Sequence, residues 1–160
     1  MNGKQAPYTK CEFTFNEQGY IDKLYDYSTK GVETGTLFTL IYYDNGDLKS
    51  IDSAFEEKGG NRYKIHNYEE YTWENGNMIK YHYTNDDGIT QTFNIHYSNK
   101  VNDTNINLSS LIKHYNSPYN EHILFATEWC GKNPSNLISY QDMKDDTFDY
   151  IYEGNLLKKI

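Results

Sequence analysis

The stretch Ile41-Tyr-Tyr-Asp-Asn-Gly-Asp-Leu-Lys-Ser-Ile51 reads as two strands joined by a tight turn. Ile41 and Tyr43 fall on one side of the incoming strand, and Leu48 and Ile51 carry the apolar positions of the return. Asp44-Asn45-Gly46-Asp47 supplies the turn, because Asn-Gly tolerates the positive φ of a primed hairpin. The phrase recurs as Phe13-x-Phe15…Gly19-x-Ile21-x-x-Leu24 and as Tyr71-x-Trp73…Gly76-x-Met78-x-x-Tyr81. A looser copy with Tyr150, Tyr152, Gly154, Leu156, Leu157 and Ile160 ends the sequence. A hairpin phrase repeated along a chain predicts an all-β protein in which sequence neighbours are neighbours in space.

Working outward, residues 1-7 form a polar lead-in, and a single β-sheet domain spans 8-160. Cys11, Phe13 and Phe15 share one face of the first strand, with Glu12, Thr14 and Asn16 on the other. Arg62 to Trp73 reads as a long strand whose parity shifts near Asn67 or Tyr68, which suggests a bulge. Asn85-Asp86-Asp87-Gly88 turns the chain again, and Phe93, Ile95 and Tyr97 align after it. The pattern breaks in a helix and loop insert over 107-135. There Leu108, Leu111, Ile112 and Tyr115 follow helical spacing behind Asn107 as a cap. The expected fold is an antiparallel meander of about ten strands with one short α-helix, curled into a half-barrel or barrel because open sheets of that width rarely stay flat.

Composition sets the character of this sheet. The 160 residues are only 37% hydrophobic, with a mean hydropathy of −0.88, yet they include 17 Tyr, 7 Phe and 2 Trp. Tyrosine buries a ring while keeping its hydroxyl available to a polar partner, so it suits sheets that are half exposed. The net charge is −8 and Arg62 is the single arginine, so no basic stripe exists to neutralise phosphates and nucleic acid is not an expected partner. No run reaches the ~18 apolar residues of a membrane helix. Met1 to Lys10 is short and polar and does not read as a signal peptide.

A search for chemistry yields little. His66, His82, His96, His114 and His122 show no metal-ligand spacing. With the turn centred between Asp86 and Asp87, His82 opposes residue 91 and His96 opposes residue 77, so the two do not face each other. Asp86-Asp87-Gly88 and Asp142-x-x-Asp145-Asp146 do not match an EF-hand loop. The pairs Glu56/Glu57 and Glu69/Glu70 are strand neighbours that point to opposite faces, which is a poor acid/base arrangement. Cys11 and Cys130 lie too far apart in sequence for their pairing to be read from spacing. No catalytic residue, metal site or cofactor is expected. The remaining lead is aromatic: Tyr71 with Trp73, and Tyr81 with Tyr83, as a row for stacking on a ligand. The competing reading is that these rings are cross-strand pairs filling the concave side of the sheet.

The ending, Leu137-Ile-Ser-Tyr140 followed by Thr147-Phe-Asp-Tyr-Ile-Tyr-Glu-Gly-Asn-Leu-Leu-Lys-Lys-Ile160, resembles that of a family of uncharacterised secreted lipoproteins. These are common in Bacteroidetes and are described as a domain of unknown function with a porin-like fold. Internal copies such as Ile41 to Ile51, and the stretch Gly131-Lys-Asn-Pro-Ser-Asn-Leu-Ile138, look similar too. The phrase Tyr-x-Tyr-Asp-x-x-Gly also resembles the tyrosine-aspartate repeats of large bacterial shell proteins, but those arrays are arginine-rich. The lipoprotein resemblance implies an extracytoplasmic β-sheet protein of the periplasm or outer-membrane surface, tethered by lipid in its native precursor, and implies no catalytic residues. The expectation is therefore a non-catalytic envelope binding protein for a glycan, lipid or protein. The alternatives are a structural component docking through a sheet edge, and a hydrolase with an unrecognised carboxylate site. Ligands are expected on the concave face or the insert, not at the turns carrying Gly19, Gly46, Gly76 and Gly154.

Overall fold

A computed structural model describes residues 10–27, 34–57, 62–103, 128–142, 146–147, 151–153 and 156–159. The strands are β1 (Lys10–Phe15), β2 (Ile21–Tyr27), β3 (Thr34–Tyr42), β4 (Leu48–Glu57), β5 (Arg62–Glu74), β6 (Asn77–Thr84), β7 (Thr90–Val101), β8 (Asn136–Gln141), β9 (Asp146–Thr147), β10 (Ile151–Glu153) and β11 (Leu156–Lys159). The first nine form one antiparallel sheet in sequence order, and β10 and β11 make a separate hairpin. The all-β meander is thus observed. The sheet does not close into a barrel: among the described residues β1 pairs only with β2, and β9 only with β8. The helix expected near residues 107–115 and the turn glycine at 154 lie outside the described residues. Within them, the second half of the insert contributes a single 3₁₀ turn, Glu128–Cys130.

Turn chemistry fixes the register. Asn75 and Gly76 both take positive φ, +51° and +75°, and form the two-residue primed turn that Asn-Gly favours. At Asn45-Gly46 the expectation of a primed turn is corrected, because only Gly46 is left-handed, at +88°. The Asn45 side chain instead accepts the Asp47 N–H at 3.1 Å, and Tyr43 and Asp47 close a three-residue loop with Gly46 last. The loops ending in Gly19 and Gly88 repeat this pattern, with Asn16 and Asn85 receiving the backbone bonds. A three-residue loop at 86–88 centres the hairpin on Asp87, so His82 opposes Thr92 rather than residue 91. On the other side of β7, His96 pairs with Tyr140 of β8. The irregularity expected near Asn67 or Tyr68 falls instead between the pairs Ala54↔His66 and Glu56↔Arg62.

One face of the sheet is sealed. Cross-strand register lines up Leu24–Phe38–Ser53, then Leu40–Ile51–Glu69–Tyr83, then Tyr71–Tyr81–Phe93. Phe38, Tyr71 and Tyr81 are fully buried, and Leu24, Leu40, Ile51 and Tyr83 nearly so. Burying an aromatic ring stabilises by about 1.5–3 kcal/mol, so these few positions supply much of what a low-hydropathy chain has to offer.

The segment 128–136 runs across one end of the sheet like a strap. Lys132 N–H donates to the Gly46 carbonyl at 3.2 Å, and Ser135 N–H to the Gly76 carbonyl at 2.9 Å. Asn77 and Asn136 exchange two bonds, each 2.9 Å. The strap thereby ties together the β3–β4 and β5–β6 turns.

The two glycine turns give a paired prediction. Gly19→Ala meets open space at φ +84°, whereas at Gly46, φ +88°, a Cβ would lie 3.0 Å from the Tyr20 hydroxyl. Chemical denaturation should show a loss of about 1–2 kcal/mol for Gly19→Ala from the left-handed backbone alone, and a larger loss for Gly46→Ala. Equal stabilities for the two variants would contradict the tight packing of Tyr20 on that turn.

Candidate functional site

The residues singled out in the sequence divide sharply. Tyr71, Tyr81 and Tyr83 are 0%, 0% and 2% exposed and present no ring to a ligand at the surface. Tyr71 and Tyr81 stack as a cross-strand pair with centroids 5.7 Å apart, and Tyr81 stacks on Phe93 at the same spacing. Their hydroxyls find acceptors on β5, the buried Glu69 and the half-buried Asn67. Tyr71 and Tyr81 both donate to the Glu69 carboxylate, and Tyr83 donates to Asn67 Oδ1 at 3.0 Å. The exposed aromatic row is thus corrected: register and pleat put these three rings on the covered face. Only Trp73, nearer the turn and half-buried, stays at the surface.

Trp73 belongs to an open cleft of about 490 Å³ lined by Tyr43, Asp44, Asn45, Asp47, Thr72 and Trp73. The site is assembled from the β3–β4 turn and the end of β5. Its aromatic walls are pinned by their own polar atoms: Trp73 Nε1 donates to the Leu48 carbonyl at 2.7 Å, and the Tyr43 hydroxyl to the Tyr71 carbonyl at 3.4 Å. The polar wall is equally ordered. Asn45 Nδ2 donates to Asp47 Oδ2 at 2.7 Å, and Gln18 Nε2 donates to the Asp44 carbonyl at 3.1 Å. Lys49 places its ammonium 5.6 Å from the centroid of the Tyr43 ring. The result is a concavity with two hydrogen-bonded aromatic side chains beside carboxylate and amide groups. Such a mixture of apolar area and a few fixed polar groups is what small-ligand sites are made of.

By its sequence this turn reads as architecture, with ligands expected on the concave face and the insert. The available signal is an aromatic residue immediately before the Asp-Asn-Gly turn, Tyr43, in a repeat whose next copy puts Trp73 at the equivalent place. What the sequence does not show is the bond from Trp73 to Leu48, which joins positions 25 residues apart.

Elsewhere the chemistry is sparse. Among the described residues no group of three His, Cys, Asp or Glu side chains converges to hold a metal. His66 Nε2 and the Asp52 carboxylate meet at 2.8 Å, and His82 Nδ1 meets Thr92 Oγ1 at 2.7 Å, both as pairs along the sheet surface. Cys11 and Cys130 are free thiols, Cys11 exposed and Cys130 buried. Burial pushes the Cys11 thiol up, and the Asp26 carboxylate adds to this by its charge and by accepting the thiol at 3.6 Å. Such a thiol is a poor nucleophile at neutral pH. No helix among the described residues is long and apolar enough to cross a membrane.

No family model, curated protein or solved structure matches this chain.

Behind the cleft, Tyr42 anchors the turn end of the sheet by donating to the Ile21 carbonyl at 2.7 Å and stacking on Tyr20 at 5.1 Å. Burial pushes its phenol well above the ordinary value of 10.0, helped by nearby Cys130, Asp22 and Tyr20. The neutral form is favoured in the folded state, so this contribution is complete below about pH 10 and is lost as the pH rises from there toward the raised folded value. Urea unfolding across the alkaline range should therefore show wild-type stability falling faster with pH than that of Tyr42→Phe. Parallel pH profiles would show that Tyr42 ionises freely in the fold.

Proposed function

We propose that this protein is a non-catalytic binding protein whose ligand is a glycan taken in the Tyr43–Trp73 cleft. The observation that carries this reading is the pair of ring walls, each held by a hydrogen bond of its own, beside Asp44 and Asn45. Sugar rings offer flat apolar C–H surfaces flanked by hydroxyls. Ring faces pre-positioned next to carboxylate and amide oxygens complement both at little ordering cost. The acidic balance of the chain favours neutral or amine-bearing sugars over acidic ones. Placement at the cell envelope rests on the resemblance of the chain's ending to secreted lipoproteins.

A second reading, a structural component that docks through a sheet edge, draws support from β1. Every side chain from Cys11 to Phe15 is exposed there.

A glycan array on the purified protein, run beside Trp73→Ala and Tyr43→Ala, tests the first reading. The wild type should bind a defined set of glycans. Each variant should keep its far-UV spectrum and lose affinity by about tenfold or more, the loss that removing one well-packed aromatic contact produces. Binding unchanged by both substitutions would place the ligand elsewhere, and absence of any glycan binding would turn attention to lipid or protein ligands.

A further inference from the structure

We propose that Asn75 is a site of spontaneous hydrolytic modification, converting to isoaspartate with water as co-reactant, and that this conversion releases the strap at 128–136 from the β5–β6 turn. The inference does not rest on the ligand reading.

The sequence places glycine after asparagine at Asn2-Gly3, Asn45-Gly46 and Asn75-Gly76, and the last two pairs lie among the described residues. Glycine has no side chain to shield its backbone nitrogen, so that nitrogen can attack the carboxamide carbon of the asparagine before it. The N–Cγ bond forms and the Cγ–Nδ2 bond breaks, with the glycine proton leaving in ammonia. Water then opens the five-membered imide. Opening at Cγ gives aspartate, and opening at the main-chain carbonyl gives isoaspartate, whose backbone is longer by a methylene. No electrons are exchanged. The step needs a glycine N–H that base can reach and a carboxamide free to turn onto it.

The two turns differ on both counts. Gly46 is buried, and its N–H donates to the Tyr43 carbonyl at 2.9 Å. The Asn45 carboxamide is held by both of its polar atoms: Nδ2 donates to Asp47 Oδ2 at 2.7 Å, and Oδ1 accepts the Asp47 N–H at 3.1 Å. At the other turn the backbone makes the bend unaided, with Asn75 at φ +51° and Gly76 at +75°. Asn75 and Gly76 are both exposed. Among the described residues neither the Asn75 carboxamide nor the Gly76 N–H has a hydrogen-bond partner. The same dipeptide is locked in one turn and open in the other.

The open turn is also the strap's anchor. Ser135 N–H donates to the Gly76 carbonyl at 2.9 Å, and Asn77 and Asn136 exchange two bonds of 2.9 Å beside it. The fit is close, since a Cβ on Gly76 would collide with the Ser135 hydroxyl. A two-residue primed turn has no slack for an inserted methylene, so isoaspartate at 75 displaces the Gly76 carbonyl from Ser135. The bond from Lys132 N–H to the Gly46 carbonyl belongs to the locked turn and stays.

Ageing the purified protein in warm, mildly alkaline buffer and mapping its peptides by mass spectrometry tests this. Asn75 should convert faster than Asn45 by about tenfold or more, the factor set by the hydrogen bonds that Asn45 and Gly46 must first break, and isoaspartate should be among its products. In urea the two should convert at similar rates, because glycine follows both. Amide exchange supplies a second readout: in the aged protein the Ser135 amide should lose protection and the Lys132 amide should keep it. Freshly purified Asn75→Asp carries the new charge without the longer backbone, and should keep Ser135 protected. Equal rates at the two sites in the folded protein, a rate difference that persists in urea, Ser135 protection unchanged by isoaspartate, or protection already lost in Asn75→Asp would each overturn the proposal.

Discussion

Glu69 holds the middle of this sheet together. It stands on β5 with its carboxylate out of water and accepts hydrogen bonds from the hydroxyls of Tyr71 on its own strand and Tyr81 on the next. A buried carboxylate is costly unless its lone pairs are used, and a buried tyrosine is costly unless its hydroxyl finds an acceptor. Each solves the other's problem. With both satisfied, the rings can stack from Tyr71 through Tyr81 to Phe93, and the face can be sealed by amphipathic side chains in a chain that is only 37% hydrophobic. Tyr83 repeats the solution one register position away through Asn67. The buried face is therefore an interlocked set of rings and acceptors, and its polar atoms are committed to structure.

That commitment moves candidate chemistry to the margins. The β3–β4 turn and the end of β5 form a cleft, and the first strand carries an exposed ring cluster. The strap at 128–136 connects the two regions. Its backbone bonds the Gly46 and Gly76 turns, while Trp129 reaches Phe13 and Phe15. A segment that interrupts the hairpin pattern in sequence thus braces the hairpins in space, and the cleft gains rigidity from a turn held on both sides.

The hairpin phrase made the meander legible because its information is local. A glycine at the right offset, an asparagine able to receive backbone bonds and alternation on either side determine a turn and two strands without reference to the rest of the chain. Gly19, Gly46 and Gly76 all take the positive φ the phrase demands. The finer choice between a two-residue and a three-residue loop was not legible. At Asn45 the side chain bonds to Asp47 and keeps its own backbone out of the left-handed region, while Asn75 enters it. The same choice, made for three residues at 86–88, moves the β6–β7 register by one residue and decides what His82 faces. The site was less legible still. Phe15, Tyr43 and Trp73 occupy equivalent places in the phrase, yet one sits at a sheet edge, one walls a cleft, and one is half-buried against a distant carbonyl. Tyr71 and Tyr81 look in sequence like any exposed strand tyrosines, because the Glu69 acceptor and the stacking on Phe93 that engage them are set by cross-strand register.

The most direct test of this account is the equilibrium unfolding free energy of Glu69→Leu. The substitution keeps a large side chain at the position and removes the acceptor on which two buried tyrosine hydroxyls converge. If Glu69 organises the buried face, stability should fall by about 2–6 kcal/mol, the cost of stranding two buried donors at about 1–3 kcal/mol each. A Glu69→Leu protein as stable as the wild type would mean that the tyrosine face is held by packing alone, and the account would fail at its centre.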